Sequence, residues 1–203
     1  MEKITGVVLA GGQGRRMGGV DKGLTLLQGR PFIEWVLARF SPQVDEVLIN
    51  ANQNLEQYAR FGYRVIPDEI GGFAGPLAGL HRGLAEAQHE LVATVPCDSP
   101  FLPEDLVERL HKELTAANAQ LAVAKTFTQA HPVFCLCRRD VLGHLSEFLN
   151  SGGRKIDAWY ATLKVAEVPF DAQAEAFSNI NTREELSEFE TDAQPSSAAK
   201  KTT

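Results

Sequence analysis

Apolar positions along the chain follow two spacings in turn. Residues 4–10, ITGVVLA, are a continuous apolar, β-branched run that ends in glycines, the pattern of a strand covered on both faces. In PFIEWVLARF, Phe32, Ile33, Val36, Leu37 and Phe40 share one helical stripe, and Pro31 suits the first helical position. VDEVLINAN predicts a second strand, residues 53–61 a polar helix, and YRVIPD a third, short strand. GPLAGLHRGLAEAQ predicts a helix with Pro76 near its start, and LVATVPCD a buried strand that stops at Pro96. PEDLVERLHKEL predicts a helix opening at Pro103, with Leu106, Val107, Leu110 and Leu114 on one face. Strands are expected at QLAVAKT, HPVFCLCR and LKVAEVPF, and helices at DVLGHLSEFL and RKIDAWYATL. This alternation predicts an α/β fold of three layers, α/β/α: a mostly parallel, Rossmann-like sheet with helices on both faces.

Composition adds limits to this picture. The 203 residues, 44% hydrophobic and 23% charged, suit a globular protein that buries roughly two thirds of its unfolded surface. Residues 1–190 are expected to form a single domain. Residues 191–203, TDAQPSSAAKKTT, lack large apolar side chains and are expected to be a disordered tail. The opening apolar stretch is too short for a signal-peptide core or a membrane span, so a cytoplasmic protein without membrane contact is expected. Cys135 and Cys137 alternate with apolar residues, as reduced thiols on one face of a strand would. A net charge of -6 argues against nucleic acid as a partner. That charge is unevenly spread, because residues 1–30 hold five Lys or Arg and only two acids.

The positive charge gathers around residues 9–23, LAGGQGRRMGGVDKG, where six glycines, two adjacent arginines and Lys22 follow the first strand. Open α/β sheets bind ligands beyond the carboxyl ends of their strands, and glycines let backbone N–H groups approach phosphate oxygens. The P-loop pattern fails, since Lys22 follows Asp21 and precedes Gly23. The dinucleotide fingerprint fails too, since Met17 stands where its third glycine belongs. A phosphate loop of another kind remains, set against a turn that only redirects the chain; clustered cations favour the first.

The segments LAGG, RRMGGVDKG, GPLAG, PCDSP, SGGRK and NINT occur in an order that resembles the bacterial molybdenum cofactor guanylyltransferases, within the nucleotide-diphospho-sugar transferase fold. The resemblance spans residues 4 to about 190. Gly14, where serine is common, and Arg183, where proline is common, depart from the pattern.

Such a resemblance implies transfer of GMP from GTP to the phosphate of the molybdenum–molybdopterin cofactor, with release of pyrophosphate. Arg15 and Lys22 are assigned to the reacting phosphates, arginine as a bidentate grip and lysine as a compact charge. Asp98, at the end of an apolar strand, is the candidate ligand for Mg²⁺ and the third catalytic candidate; alternatively it caps the following turn. The resemblance assigns Leu9, Ala10, Gly11, Gly12, Asn50 and Asp68 to the nucleotide, although Asn50 and Asp68 also suit turns. Gly75 and Gly79 flank a helix start that can meet an anion or simply pack closely on the sheet. Gly79, His131, Arg154, Asn179 and Asn181 are the candidates for the pterin side, with Asn181 equally suited to cap a following helix. Transient contact with proteins that deliver or accept the cofactor is a further expectation. Two rival readings are a cytidylyltransferase acting on molybdopterin or a sugar-alcohol phosphate, and a non-catalytic nucleotide sensor.

Overall fold

The computed structural model describes residues 2–12, 21–69 and 75–178. In chain order the elements are β1 (Ile4–Leu9), β2 (Leu26–Leu27), β3 (Arg30–Pro31), α1 (Phe32–Phe40), β4 (Glu46–Asn50), α2 (Leu55–Ala59), β5 (Arg64–Ile66), α3 (Pro76–Glu86), β6 (Leu91–Pro96), α4 (Leu106–Ala116), β7 (Leu121–Thr126), β8 (Gln129–Arg138), α5 (Leu142–Asn150), α6 (Ile156–Tyr160) and β9 (Val165–Pro169). Seven strands form one sheet in the order β5-β4-β1-β6-β8-β7-β9, and β2 with β3 forms a separate two-stranded ribbon. Among the described strands of the large sheet, only β8 runs against its neighbours. The mostly parallel α/β/α expectation holds.

Two apolar clusters cover the sheet. Val8, Ile49, Val95 and Ala122 pack with α1 and α4 on one face, while Val7, Leu48, Val92 and Cys135 pack with α3, α5 and α6 on the other. Neighbouring positions of one strand thus enter opposite layers, as a pleated strand requires. Cys135 and Cys137 share the second layer as buried free thiols. No helix among the described residues is long and apolar enough to cross a membrane.

Two departures from the expected elements have long-range causes. The helix expected from Pro103 starts at Leu106, because Gln43 holds its entrance: its Oε1 accepts from Val107 N at 2.9 Å and its Nε2 donates to the Pro103 carbonyl at 2.9 Å. That side chain satisfies one of the four amides that a helix start leaves unpaired. The second departure is a bulge in β8. Val123 pairs with Cys135 but Ala124 pairs with His131, so residues 132–134 loop out of register. Buried hydroxyls take up the freed carbonyls: Thr94 Oγ1 donates to Val133 O at 2.7 Å and the Tyr160 hydroxyl to Pro132 O at 2.6 Å. Pairing between β6 and β8 ends at Thr94, which leaves the last residues of β6 facing an opening.

Candidate active site

The first crossover from β1 leads to β4 on one side, and the chain later returns to β6 on the other. This reversal opens a crevice at the carboxyl ends of β1, β4 and β6, where open sheets hold ligands. The ladder extends past the strand ends, with Ala10 N donating to Asn50 O at 2.8 Å and Cys97 N to Leu9 O at 3.1 Å. The loops therefore leave the sheet from fixed points. A cavity of about 300 Å³ lies there, lined by Leu9, Gly11, Gly12, Asn50, Asn52, Asp68, Gly75, Pro76, Pro96 and Val133.

One wall is a network of amides and a carboxylate. Asn50, only 2% exposed, donates from Nδ2 to Asp68 Oδ1 at 2.8 Å and to the Ile66 carbonyl at 3.1 Å. Asn52 donates to Asp68 Oδ2 at 2.8 Å and to Gly11 O at 3.3 Å, and its Oδ1 accepts from Asp68 N at 2.8 Å. A carboxylate has about four lone-pair positions, so Asp68 keeps capacity for a ribose or a base edge. A Cβ on Gly11 would lie 2.8 Å from Asn52 Nδ2 and 3.1 Å from Asn50 Oδ1, so a side chain there would displace the amides of the wall. By contrast, no atom of the described residues lies within 4 Å of a Cβ at Gly12, which lines the cavity.

Lys22 opens a short 3-10 turn, Lys22–Leu24, and its Nζ lies 2.9 Å from Oδ2 of Asp98, two residues beyond β6. Asp98 is 7% exposed, whereas a quarter of the Lys22 side chain reaches solvent. This part-buried pair places a cation and an anion just past the carboxyl end of β6, whose Pro96 lines the cavity, although neither Lys22 nor Asp98 is itself in the lining. Next to it, Cys97 is buried and its thiol is pushed well up by desolvation and then by the neighbouring Asp98, which keeps it unreactive.

The remaining candidates are placed differently. Gly79 lies under the wall rather than in the cavity lining, packed against Asn50 and Leu9. His131 accepts or donates at 2.7 Å to Thr126 Oγ1 and stacks on Phe177 at 4.8 Å, within the layer of α1 and α4. Burial lowers its pKa. Arg154 donates to the carbonyls of Leu149 and Gly153 at 2.8 and 2.7 Å, closing the end of α5 in the opposite layer. Neither side chain lines the cavity. Arg15, Asn179 and Asn181 lie outside the described residues. Asn52 was not anticipated; its signal was the repeat in NAN, which sets a second amide two residues after Asn50.

A family model described as a MobA-like NTP transferase domain matches residues 6–165. The chain belongs to this family. Among the relatives of this MobA-like NTP transferase, the molybdenum cofactor guanylyltransferase of Cupriavidus metallidurans is 50% identical over 190 residues, covering 91% of this chain and 93% of that protein. The molybdenum cofactor guanylyltransferase of Shewanella sediminis is 48% identical over 183 residues, covering 90% and 93%. The crystal structure of molybdopterin-guanine dinucleotide biosynthesis protein A from Archaeoglobus fulgidus matches with a TM-score of 0.77 at 27% identity, over 93% of this chain and 97% of that one. At 16% identity and a TM-score of 0.73, 4-diphosphocytidyl-2C-methyl-D-erythritol synthase from Anaerococcus prevotii shares the fold, over 94% of this chain and 98% of that one. The MobA-like protein is thus a nucleotidyltransferase of the nucleotide-diphospho-sugar transferase type, with its cavity at the fold's ligand-binding edge.

Proposed function

We infer that this protein transfers GMP from GTP to the phosphate of the molybdenum–molybdopterin cofactor, forming the guanine dinucleotide and releasing pyrophosphate. The observation that carries the reading is the near-50% identity to guanylyltransferases along nine tenths of the chain. The cavity wall agrees with it: Asp68 offers acceptor positions and Asn50 and Asn52 fix its orientation, which suits the donor edge of guanine or a ribose.

In the reaction an oxygen of the acceptor's terminal phosphate bonds to the α-phosphorus of GTP. The bond to the bridging oxygen breaks, and its electron pair leaves with pyrophosphate. Charge builds on phosphate oxygens throughout, so a fixed cation lowers the barrier. Lys22 supplies that cation, and Asp98 holds it at the crevice until phosphates take over the ammonium. Arg15 is assigned to the same phosphates.

Asp98 then becomes the candidate ligand for Mg²⁺. Its carboxylate fits the ion's preference for one or two protein carboxylates with substrate phosphates completing the shell. No three His, Cys, Asp or Glu side chains converge among the described residues, so the triphosphate and water would complete the shell. When bound, Mg²⁺ neutralises phosphate charge. The reading also places the protein in the cytoplasm, in transient contact with proteins that deliver or accept the cofactor.

A pyrophosphate-release assay tests the proposal directly. Release is expected only with GTP, molybdopterin and Mg²⁺ together; equal or faster release with CTP would reassign the base. Normal GTP binding without any turnover would make the protein a sensor.

A further inference from the structure

Beside the ion pair lies a second group of polar side chains that the reaction itself does not require. Asp21 immediately precedes Lys22, and both its carboxylate oxygens are engaged by α2 and its cap. Oδ1 accepts a short hydrogen bond from the Tyr58 hydroxyl, and Oδ2 accepts from Asn54 Nδ2 at 2.9 Å. Tyr58 is fully buried in the core on the α1 and α4 side of the sheet, a costly place for a hydroxyl unless it bonds. Asn54 takes up the left-handed conformation at φ +54, which asparagine tolerates better than most residues. A Cβ on Gly23 would stand 2.5 Å from the Tyr58 oxygen and 3.3 Å from Cys97 Sγ. The turn that carries Lys22 is therefore pressed onto Tyr58 from one side and tied to it through Asp21 from the other.

We propose that Tyr58, through Asp21, is a positioning residue for Lys22: α2 clamps the turn so that the ammonium meets phosphate at the crevice rather than its adjacent carboxylate. The catalytic consequence of the clamp rests on the guanylyltransferase reading; the clamp itself does not. Asp21 is the carboxylate next to Lys22 in sequence and would compete for the ammonium were it free to turn. With both oxygens bound to α2 and its cap, Asp21 is directed away, and Lys22 reaches Asp98 instead. Burial, the first cause, raises the Tyr58 pKa, with Cys97 and Asp21 adding to it, so the phenol keeps its proton and remains a donor. Loss of one hydrogen bond to a charged group corresponds to about a ten- to hundredfold change in equilibrium.

The test uses the full chain with Tyr58→Phe, which keeps the buried ring and removes the hydroxyl. Trypsin cleavage after Lys22, followed by mass spectrometry, reads the clamp without any turnover. Cleavage there is expected to speed up about tenfold, while cleavage after Lys112 in α4 stays as in the wild type. Equal acceleration at both sites, or none at Lys22, would overturn the proposal. In the transfer assay, kcat is expected to fall about tenfold with GTP affinity changed less than threefold. In a Lys22→Ala background Tyr58→Phe is expected to add nothing to that loss. A further tenfold fall in that background would show that Tyr58 acts elsewhere and refute the role. A wild type that holds the clamp but transfers no guanylyl group would overturn the functional reading and leave the clamp standing.

Discussion

Replacing Gly79 by alanine sets helix propensity against the cavity wall, and the structure decides which prevails. Inside an exposed helix the change would stabilise by about 1 kcal/mol. In α3 the new Cβ would lie 2.4 Å from Asn50 Oδ1 and 2.7 Å from Leu9 Cδ2, both of which border the cavity. Leu9 can swing aside, but Asn50 is held by Ile66 O and Asp68 Oδ1. Overpacking a tight interior costs about 1–3 kcal/mol. Giving up the bond to the Asp68 carboxylate costs about 1.5–3 kcal/mol more, in so far as Asn50 rather than the helix moves. After subtracting the propensity gain, Gly79→Ala should destabilise by roughly 1.5–5 kcal/mol where Asn50 gives way, and weaken GTP binding about tenfold. Urea denaturation and calorimetric titration with GTP measure both. Gly143→Ala is the matched control: it lies exposed in the first turn of α5 with no atom of the described residues within 4 Å of its Cβ, and should be neutral or stabilising by up to ~1 kcal/mol. If Gly79→Ala matched the control in stability and GTP affinity, the close approach to Asn50 would not be the reason for glycine at this position.

Three further outcomes are expected. Asp98→Asn removes the anion facing Lys22 and the candidate Mg²⁺ ligand, so kcat should fall about a hundredfold or more and the Mg²⁺ titration should shift to higher concentration; an unchanged metal curve would reject the assignment. Asn52→Ala frees one Asp68 oxygen and should weaken GTP binding about tenfold in calorimetry, about 1.4 kcal/mol, with little change in Tm, since Asn52 is exposed. Burial lowers the pKa of His131 and, as the largest cause, of His81, whose other neighbours Glu69 and Arg82 act in opposite senses. The unfolded chain therefore binds protons more readily at these sites, so their stabilising contribution is complete above the ordinary imidazole pKa of 6.5 and is lost as pH falls below it. The Tm should decline from pH 7 to 5, less steeply in His131→Gln; equal slopes would refute the contribution of His131.

Periodicity alone located most of the elements, because buried strands and amphipathic helices carry their spacing locally. The runs at residues 4–9, 46–50 and 91–96 became β1, β4 and β6, and the stripe after Pro31 became α1. It also set the cysteines of β8 on one face. It did not reveal that β8 runs antiparallel to its neighbours in the large sheet, or that it bulges at residues 132–134, since strand direction and register depend on partners distant in the chain. The entrance of α4 was misplaced for a similar reason: the Gln43 side chain that caps it is more than sixty residues away.

At the site, the sequence by itself determined the chemistry available. A strand running into glycines, a lysine and strand-end carboxylates can be recognised from residue types and their order. Only the tertiary structure decided which of these meet. Lys22 and Asp98 are 76 positions apart and come within 2.9 Å because β1 and β6 are adjacent in the sheet. Asp68 turns toward Asn50 and Asn52 because β5 lies beside β4. Gly79, a choice between ligand contact and close packing on sequence grounds, is packed under Asn50, while His131 and Arg154 are engaged in opposite layers. Residue types carry reactivity locally, but distance between them is a property of the sheet order, and no window of sequence contains it.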